Sequence, residues 1–533
     1  MENADAVIVG AGHHGLVSAA VLADAGWDVL VLEGRDVAGG AVASVLHDGW
    51  VMDEFSSCYP LAVASPVLRE LHLEDHGLRW SRVDRVVAHA GDPADPVGAL
   101  IHRDPAQTAR ALGEDHPADE AAWLELVALW EQIRDPLLDA LLTRWPPVRS
   151  TGRLLGSVGA REAPRLVRTL LLPLSQLIRE RFRGERAAML LAGNSAHADI
   201  PPEAPGSGIF GLLMAMLAQD VGFPSPTGGA GELATALRRR AEAAGARVVT
   251  GEGVRRIVTS GGRVVGVETY AGRRVRARRA VIADTGAPAL YRDLLGPGSV
   301  PARLLRELDT FEWDLPTVKV NLRLSGPLPW TAAAARGAGV VHVGRDTGGL
   351  VRWAAELGSG VVPEEPFGLL GQMTTTDPSR SPAGTETVWM YSHLPRSRGD
   401  DEAGRLLAER MDGTLDRFAP GWRDLLVERW VQLPSDLAGA DPNLVGGAVG
   451  GGTSQLFQQA VFRPVLGTGG PRTPVAGLYL GSAATHPGGG VHGACGYLAA
   501  RAALTDHSWW GRPRQRLELA ALHWLYAGGD PVP

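Results

Sequence analysis

Residues 5–40 read DAVIVGAGHHGLVSAAVLADAGWDVLVLEGRDVAGG, and this stretch decides the fold. Asp5–Val9 is a short, continuously apolar strand, Gly10–Gly15 a glycine turn, Leu16–Ala25 an apolar-rich helix and Trp27–Leu32 a second continuous strand. The pattern predicts a βαβ unit, and continuous rather than alternating strands predict a parallel sheet buried on both faces. Gly10-Ala11-Gly12-His13-His14-Gly15 is a GxGxxG that follows a strand and opens a helix. The first glycine permits the tight turn, the second lets a pyrophosphate approach the backbone, and the third lets helix and strand pack closely. The turn's amides and the helix dipole favour a bound anion. Glu33 ends the second strand 18 residues after Gly15, where a carboxylate accepts both ribose hydroxyls and repels a 2′-phosphate. Dinucleotide binding is the expectation for this unit.

Working outward, the chain has 533 residues, beyond the roughly 250–300 at which one core stops growing, so at least two domains are expected. Apolar residues make up 45% and charged residues 21%, which excludes wholesale disorder. The net charge of −7 is weak and of the wrong sign for nucleic acid, so no nucleic-acid partner is expected. Only Cys58 and Cys495 occur and there is no CxxC, which argues against a disulfide scaffold, a thiolate zinc site or a dithiol redox centre. No metal is expected. The N-terminus lacks the basic segment and cleavage site of a signal peptide, and the longest apolar runs, Ile209–Ala218 and the interrupted Leu166–Ile178, fall short of the ~20 residues of a spanning helix. The expected location is cytoplasmic.

Helical periodicity dominates residues 100–220, with Trp123, Leu124, Val127 and Trp130 on one face and Pro173 interrupting a second run; this predicts a helical lid. Four β-rich runs follow, Arg247–Val249, Val254–Val258, Arg263–Thr269 and Arg273–Arg276, with Gly261-Gly262 and Ala271-Gly272 as hairpin turns. They predict a β-meander, after which Ala280–Ala283 reads as a buried strand rejoining the parallel sheet. Val318–Leu324 and Val388–His393 read as strands, Glu402–Phe418 as a helix, and Leu478–Gly481 as a last strand before a glycine loop and the helix Tyr497–Leu504.

Gly39-Gly40 follow Glu33 closely, giving a second close backbone approach to the same ligand. Here the sequence resembles the FAD-binding oxidoreductases of the phytoene desaturase and amine oxidase superfamily, in particular the branch like pyridine nucleotide-disulfide oxidoreductase domain 2. The resemblance implies that Gly10, Gly12, Gly15, Glu33, Arg35, Gly39 and Gly40 hold the adenosine diphosphate half of FAD. Residues 227–233, TGGAGEL, resemble the segment leading into the family's meander, and Val254 matches the position whose backbone meets the adenine. Gly229-Ala-Gly231 mimics a second fingerprint, but Pro224 and Pro226 precede it where a buried strand is required. Residues 477–497, GLYLGSAATHPGGGVHGACGY, resemble the family's C-terminal signature. That match implies Gly481 and Ser482 at the ribityl-phosphate side and Gly490, Val491 and Gly493 near the isoalloxazine. His14 departs from the family's usual Asn, and His492 from a small or hydroxylated residue. His492 is a candidate catalytic residue facing flavin or substrate; its other reading is a loop histidine with satisfied hydrogen bonds. His486 reads as loop-shaping, and Cys495 as a buried thiol, with a covalent flavin link as its second reading.

The fold class implied is α/β, a two-domain flavoprotein. A discontinuous Rossmann-type FAD-binding domain with a meander (1–85, 222–295 and 470–533) is expected beside a mixed α+β substrate domain (86–221 and 296–469). Without a second nicotinamide fingerprint, the substrate is expected to reduce the flavin, and oxygen, a quinone or another carrier to reoxidise it. Trp313, Trp330, Trp353 and Trp389 predict an apolar pocket for a small apolar substrate. Pro164–Phe182 reads as core or lid, with a peripheral membrane contact as its alternative. A flavin amine oxidase and a redox-silent isomerase or carrier on the same fold stand as other readings. Lys319 is the only lysine among 52 basic side chains. Its strand-like context resembles the amine oxidase strand whose lysine holds a water against flavin N5, which makes Lys319 a candidate catalytic residue; the alternative is a lysine packed along the sheet.

Overall fold

A computed structural model describes residues 2–509 and 511–526. Seven strands form the first sheet in the order Val254–Ser260, Arg263–Thr269, Arg274–Ala283, Glu2–Val9, Val29–Leu32 and Arg247–Val249, with Leu478–Leu480 also pairing Arg274–Ala283. Glu2–Val9 runs parallel to both of its neighbours. Its side chains alternate between two cores: Ala6 and Ile8 pack with the helices His13–Asp24, Ala230–Ala243 and Ala494–His507, while Val7 and Val9 pack beneath the meander. Both faces are covered, which is why the strand reads as unbroken apolar sequence.

Register places the site. Val9 stands beside Leu32 and Ala283, and Ala283 beside Leu480. The ladder runs one residue further: Glu33 N–H donates to Val249 O (2.9 Å), Gly10 N–H to Leu32 O (2.9 Å), Asp284 N–H to Val9 O (2.8 Å) and Gly481 N–H to Ala283 O (2.8 Å). Glu33, Gly10, Asp284 and Gly481 therefore stand side by side at the carboxyl ends of parallel strands, where open α/β sheets bind ligands.

Two readings of the meander are corrected. Arg247–Val249 pairs in parallel with Val29–Leu32 and belongs to the parallel part of the sheet. Arg273–Arg276 and Ala280–Ala283 are one strand, Arg274–Ala283, whose first half pairs antiparallel with Gly266–Glu268 and whose second half pairs parallel with Leu478–Leu480. Arg278 and Arg279 hide this continuity by breaking the alternation. Their charges are met by Asp5 and Asp28, and the Arg279 guanidinium lies 4.9 Å from the Trp27 ring centre.

The second sheet has the order Leu426–Gln432, Thr317–Leu324, Glu386–His393, Gly368–Gln372, Val340–Val343, Arg85–Ala90 and Ala99–His102. One face, with Val318, Val320 and Met390, packs on the helix Asp401–Phe418. The other is covered by helices drawn from the seven between Pro105 and Asp220. In the long helix Pro117–Leu142 the buried stripe is Trp123, Leu126, Trp130, Ile133 and Leu137; Leu124, expected on that face, is exposed because it lies 100° from Trp123. Trp353 and Trp389 join the core under these helices, but Trp330 lies on the opposite face, donating to Gln372 Oε1 (2.9 Å), and Trp313 packs against Phe311 beside the first sheet. The expected tryptophan pocket thus holds two of its four members. In the 164–182 stretch, Leu166, Leu174 and Leu177 are buried and Leu171 is exposed. No helix among the described residues is long and apolar enough to cross a membrane.

Candidate active site

The glycine turn is built to bring backbone close to backbone. A Cβ on Gly15 would stand 2.3 Å from Gly10 O, and one on Gly12 would stand 2.6 Å from Asp284 Oδ2. Backbone closes off Gly15 altogether, whereas at Gly12 the obstacle is the end of the Asp284 side chain. The first helix starts at His13, so its first-turn amides point out of this turn. Gly39 N–H donates to Ala11 O (2.9 Å) and Arg35 Nη1 to Gly40 O (3.2 Å), which folds the second glycine pair over the first. Arg35 also pairs with Glu54 (3.1 Å). Glu33 accepts the N–H groups of Ala11 (2.7 Å) and Arg35 (2.9 Å). Gly251 N–H donates to Arg35 O (2.8 Å) and Glu252 N–H to Glu33 O (2.7 Å), bringing Val254's strand against the same turn.

On the other side lies the C-terminal loop. Gly481 continues the sheet, Ser482 Oγ donates to Thr285 O (2.6 Å), and Ser65 Oγ donates to His492 O (2.6 Å). Gly490 approaches Leu61, and Val491 packs with the core of the first helix. Gly493 caps the helix Ala494–His507. A Cβ on Gly496 would fall 1.9 Å from His14 O, so this helix crosses the first backbone to backbone. His14, His492 and Cys495 converge there, with ligand-type atoms within 4.8 Å of one another. Two of them are committed to the loop: Ala494 N–H donates to His492 Nδ1 (3.0 Å), His492 Nε2 faces Gly488 O (3.3 Å), and Cys495 Sγ lies 3.6 Å from the same carbonyl, whereas both ring nitrogens of His14 are buried without a hydrogen-bond partner. Burial pushes the His492 pKa down to about 3 and the Cys495 thiol up to about 12, which leaves both neutral. His486 Nε2 meets Thr143 O (2.9 Å), tying the loop to the end of the long helix.

Lys319 sits apart from the turn but is joined to it. Its buried ammonium donates to the carbonyls of Asp53 (2.6 Å), Glu54 (3.2 Å) and Phe55 (3.2 Å), and Glu54 carries the link on to Arg35. Burial lowers its pKa to about 8, against the raising influence of Asp53 and Glu54. In register, Lys319 opens a row that crosses the second sheet through Tyr391, Leu369 and His342 to His89. His342 shares a hydrogen bond with His197 (2.9 Å between Nε2 atoms). Burial holds all of these histidines neutral, with His89 at about 4 and His197 at about 3.

Sequence reasoning passed over three features. Asp284 follows the strand Arg274–Ala283 and accepts the Gly15 N–H at 2.8 Å. Its only sequence signal is an acid closing the apolar run Ala280–Ala283. Asp53 and Arg380 form a fully buried pair whose Asp53 carboxylate also accepts the Ala230 N–H (2.8 Å). This internal carboxylate accepts the first amide of the helix Ala230–Ala243, which begins inside the false second fingerprint. The histidines 89, 197 and 342 carried no motif.

The model of the flavin containing amine oxidoreductase family matches residues 15–504. The chain belongs to this family. Pyridine nucleotide-disulfide oxidoreductase domain-containing protein 2 of Rattus norvegicus is 28% identical over 553 residues, covering 94% of this chain and 93% of its own. The zeta-carotene-forming phytoene desaturase of Myxococcus xanthus is 28% identical over 517 residues, covering 91% and 90%. An oxidoreductase structure from Methanosarcina mazei superposes with a TM-score of 0.60 at 17% identity, covering 95% of this chain and 100% of that one. As a member of the flavin containing amine oxidoreductases, the protein is an FAD-dependent oxidoreductase. The cradle fits that cofactor: side-chain-free glycines at Gly12 and Gly15, the amides of the helix start, and a carboxylate at Glu33.

Proposed function

We propose that this flavoenzyme dehydrogenates a small, apolar, secondary-metabolite type of substrate. The observation that carries the reading is the row from Lys319 through Tyr391, Leu369 and His342 to His89, flanked by Trp389 stacked on Tyr391 with ring centres 5.9 Å apart. The row faces the helical cover, and beyond Lys319 it carries no charge, because burial keeps its histidines neutral. The His342–His89 end is packed shut by the helix at Gly193, so the Lys319–Tyr391–Trp389 end is the part that would receive an uncharged molecule; an ammonium substrate would call for a carboxylate that the row lacks. FAD, when bound, supplies the hydride acceptor. Within the protein, the Gly10–Gly15 turn and Glu33 bind the adenosine diphosphate end, the 481–493 loop orients the flavin end, and the helical cover excludes water. The electron acceptor is oxygen, a quinone or another carrier.

Anaerobic mixing with a metabolite library tests the proposal. Flavin bleaching with polyenes or terpenoids is the expected result. Bleaching only with amines, with release of ammonia on turnover, would overturn it in favour of an amine oxidase. An altered substrate with an unchanged flavin spectrum would replace it with isomerisation.

Within this proposal Lys319 acts as a positioning cation, holding the 53–55 carbonyls and, through Glu54, Arg35. We expect Lys319→Met to keep FAD but slow flavin reduction or reoxidation at least about tenfold, about 1.4 kcal/mol of barrier. The wild-type rate should also titrate near pH 8, where the buried ammonium loses its proton, and the variant should lose that titration. Unchanged half-reactions in stopped flow would return Lys319 to a purely structural role.

A further inference from the structure

We propose that Asp284 is a proton-carrying member of the dinucleotide cradle, so that the FAD pyrophosphate is taken up together with one proton that neutralises this carboxyl. Asp284 Oδ2 accepts the N–H of Gly15, the third glycine of the fingerprint, at 2.8 Å. It also lies 2.6 Å from where a Cβ of Gly12 would stand. Gly12 is the glycine that lets a pyrophosphate approach the backbone, so the carboxyl borders the same space. A pyrophosphate brought beside a buried carboxylate would repel it, and a proton on the carboxyl relieves that repulsion.

The surroundings leave little else to neutralise it. Glu33 faces Asp284 from the end of the second strand, and Asp441 from the segment after the helix Pro434–Ala440. Both repel its negative charge. Cys495, from the helix Ala494–His507, is a neutral thiol, and His13 and His14 on the first helix are held neutral by burial. Arg35 is engaged by Glu54 and Gly40 O. Asn443 donates to the Asp284 carbonyl and does not reach the carboxyl. Burial first, then Asp441 and Glu33, push Asp284 up to about 7 against the lowering influence of the Gly15 N–H. A neighbouring pyrophosphate raises it further, so above pH 7 binding draws a proton from solvent.

The test is titration of the full chain, reversibly freed of flavin, with FAD between pH 6 and pH 9, followed by quenching of flavin fluorescence. One proton linked to a group near 7 makes the association constant fall about a hundredfold across that range. Asp284→Asn, whose amide oxygen still accepts the Gly15 N–H, should bind FAD with a flat profile and more tightly than wild type at pH 9. Calorimetry at pH 8 in two buffers of different ionisation enthalpy should count about one proton taken up per FAD by wild type and none by the variant. A flat wild-type profile, a variant that keeps the slope, or a wild-type proton count of zero would each overturn the proposal. The wild-type count decides the matter alone if the variant does not fold.

Discussion

Gly12→Val should leave the purified protein colourless while its far-ultraviolet circular dichroism stays that of the wild type. The Cβ alone would stand 2.6 Å from Asp284 Oδ2, the end of a short side chain that has little room to retreat beside Glu33 and Asp441. The two further methyl groups of valine project into the space through which the pyrophosphate approaches the turn. Gly12→Ala should show the same defect in milder form, with FAD bound but released on dialysis. Gly15 offers no such gradation, because its neighbour at 2.3 Å is the Gly10 carbonyl and backbone cannot swing aside; a side chain there should cost the fold itself. Stoichiometric flavin absorbance in purified Gly12→Val would remove the turn from the cofactor site.

Arg380→Met should cost about 3–5 kcal/mol of folding stability, the usual consequence of leaving a buried charge without its partner. Arg380 and Asp53 are both fully buried and joined in a two-pronged contact, with Nη1 2.9 Å from Oδ1 and Nη2 bonded to Oδ2. Asp53 also accepts Ser44 Oγ (2.7 Å) and the Ala230 N–H, while its backbone oxygen holds Lys319. Burial alone would push the Asp53 carboxyl up; Arg380 and these donors more than reverse this and hold it below its ordinary 3.8. A carboxylate whose folded pKa lies below its unfolded value stabilises above the unfolded value, near 4. That stabilisation is lost as pH falls through the folded one. Urea denaturation at neutral pH checks the first claim and the acid limb of a melting profile the second. A loss under about 1 kcal/mol would mean that the pair contributes little, and Asp53→Asn with Arg380→Met together should recover part of the deficit.

What could be read in the sequence was what is local. The Gly10–Gly15 turn, Glu33 and the Gly39-Gly40 pair lie within about 30 residues, and each carries its own stereochemical signal. Asp284 was silent because its meaning comes from register: it matters by standing beside Gly10, a neighbour 274 residues away that only the strand pairing supplies. Asp53 and Arg380, 327 residues apart, were silent for the same reason. The tryptophans divide between cores because a strand or helix period says which residues share a face, not which face meets which partner. Arg274–Ala283 reads as two strands because Arg278 and Arg279, both solvent-exposed, break the alternation, and their pairing with Asp5 and Asp28 is visible only in the fold.

The first sheet joins Glu2–Val9 to Arg274–Ala283 and that strand to Leu478–Leu480, so the cradle is stitched from the earliest and the latest strands of the sequence. During synthesis, at about 5–20 residues per second, the first strand waits roughly 15–60 s for its inner partner and longer for the loop that closes over it. Its continuous apolar surface is exposed throughout that interval, and loop-closure entropy opposes such distant pairings. Cofactor loading is thereby a late event in the life of the chain. A cell short of chaperones to shield the N-terminal strands during that interval should accumulate this protein as aggregate.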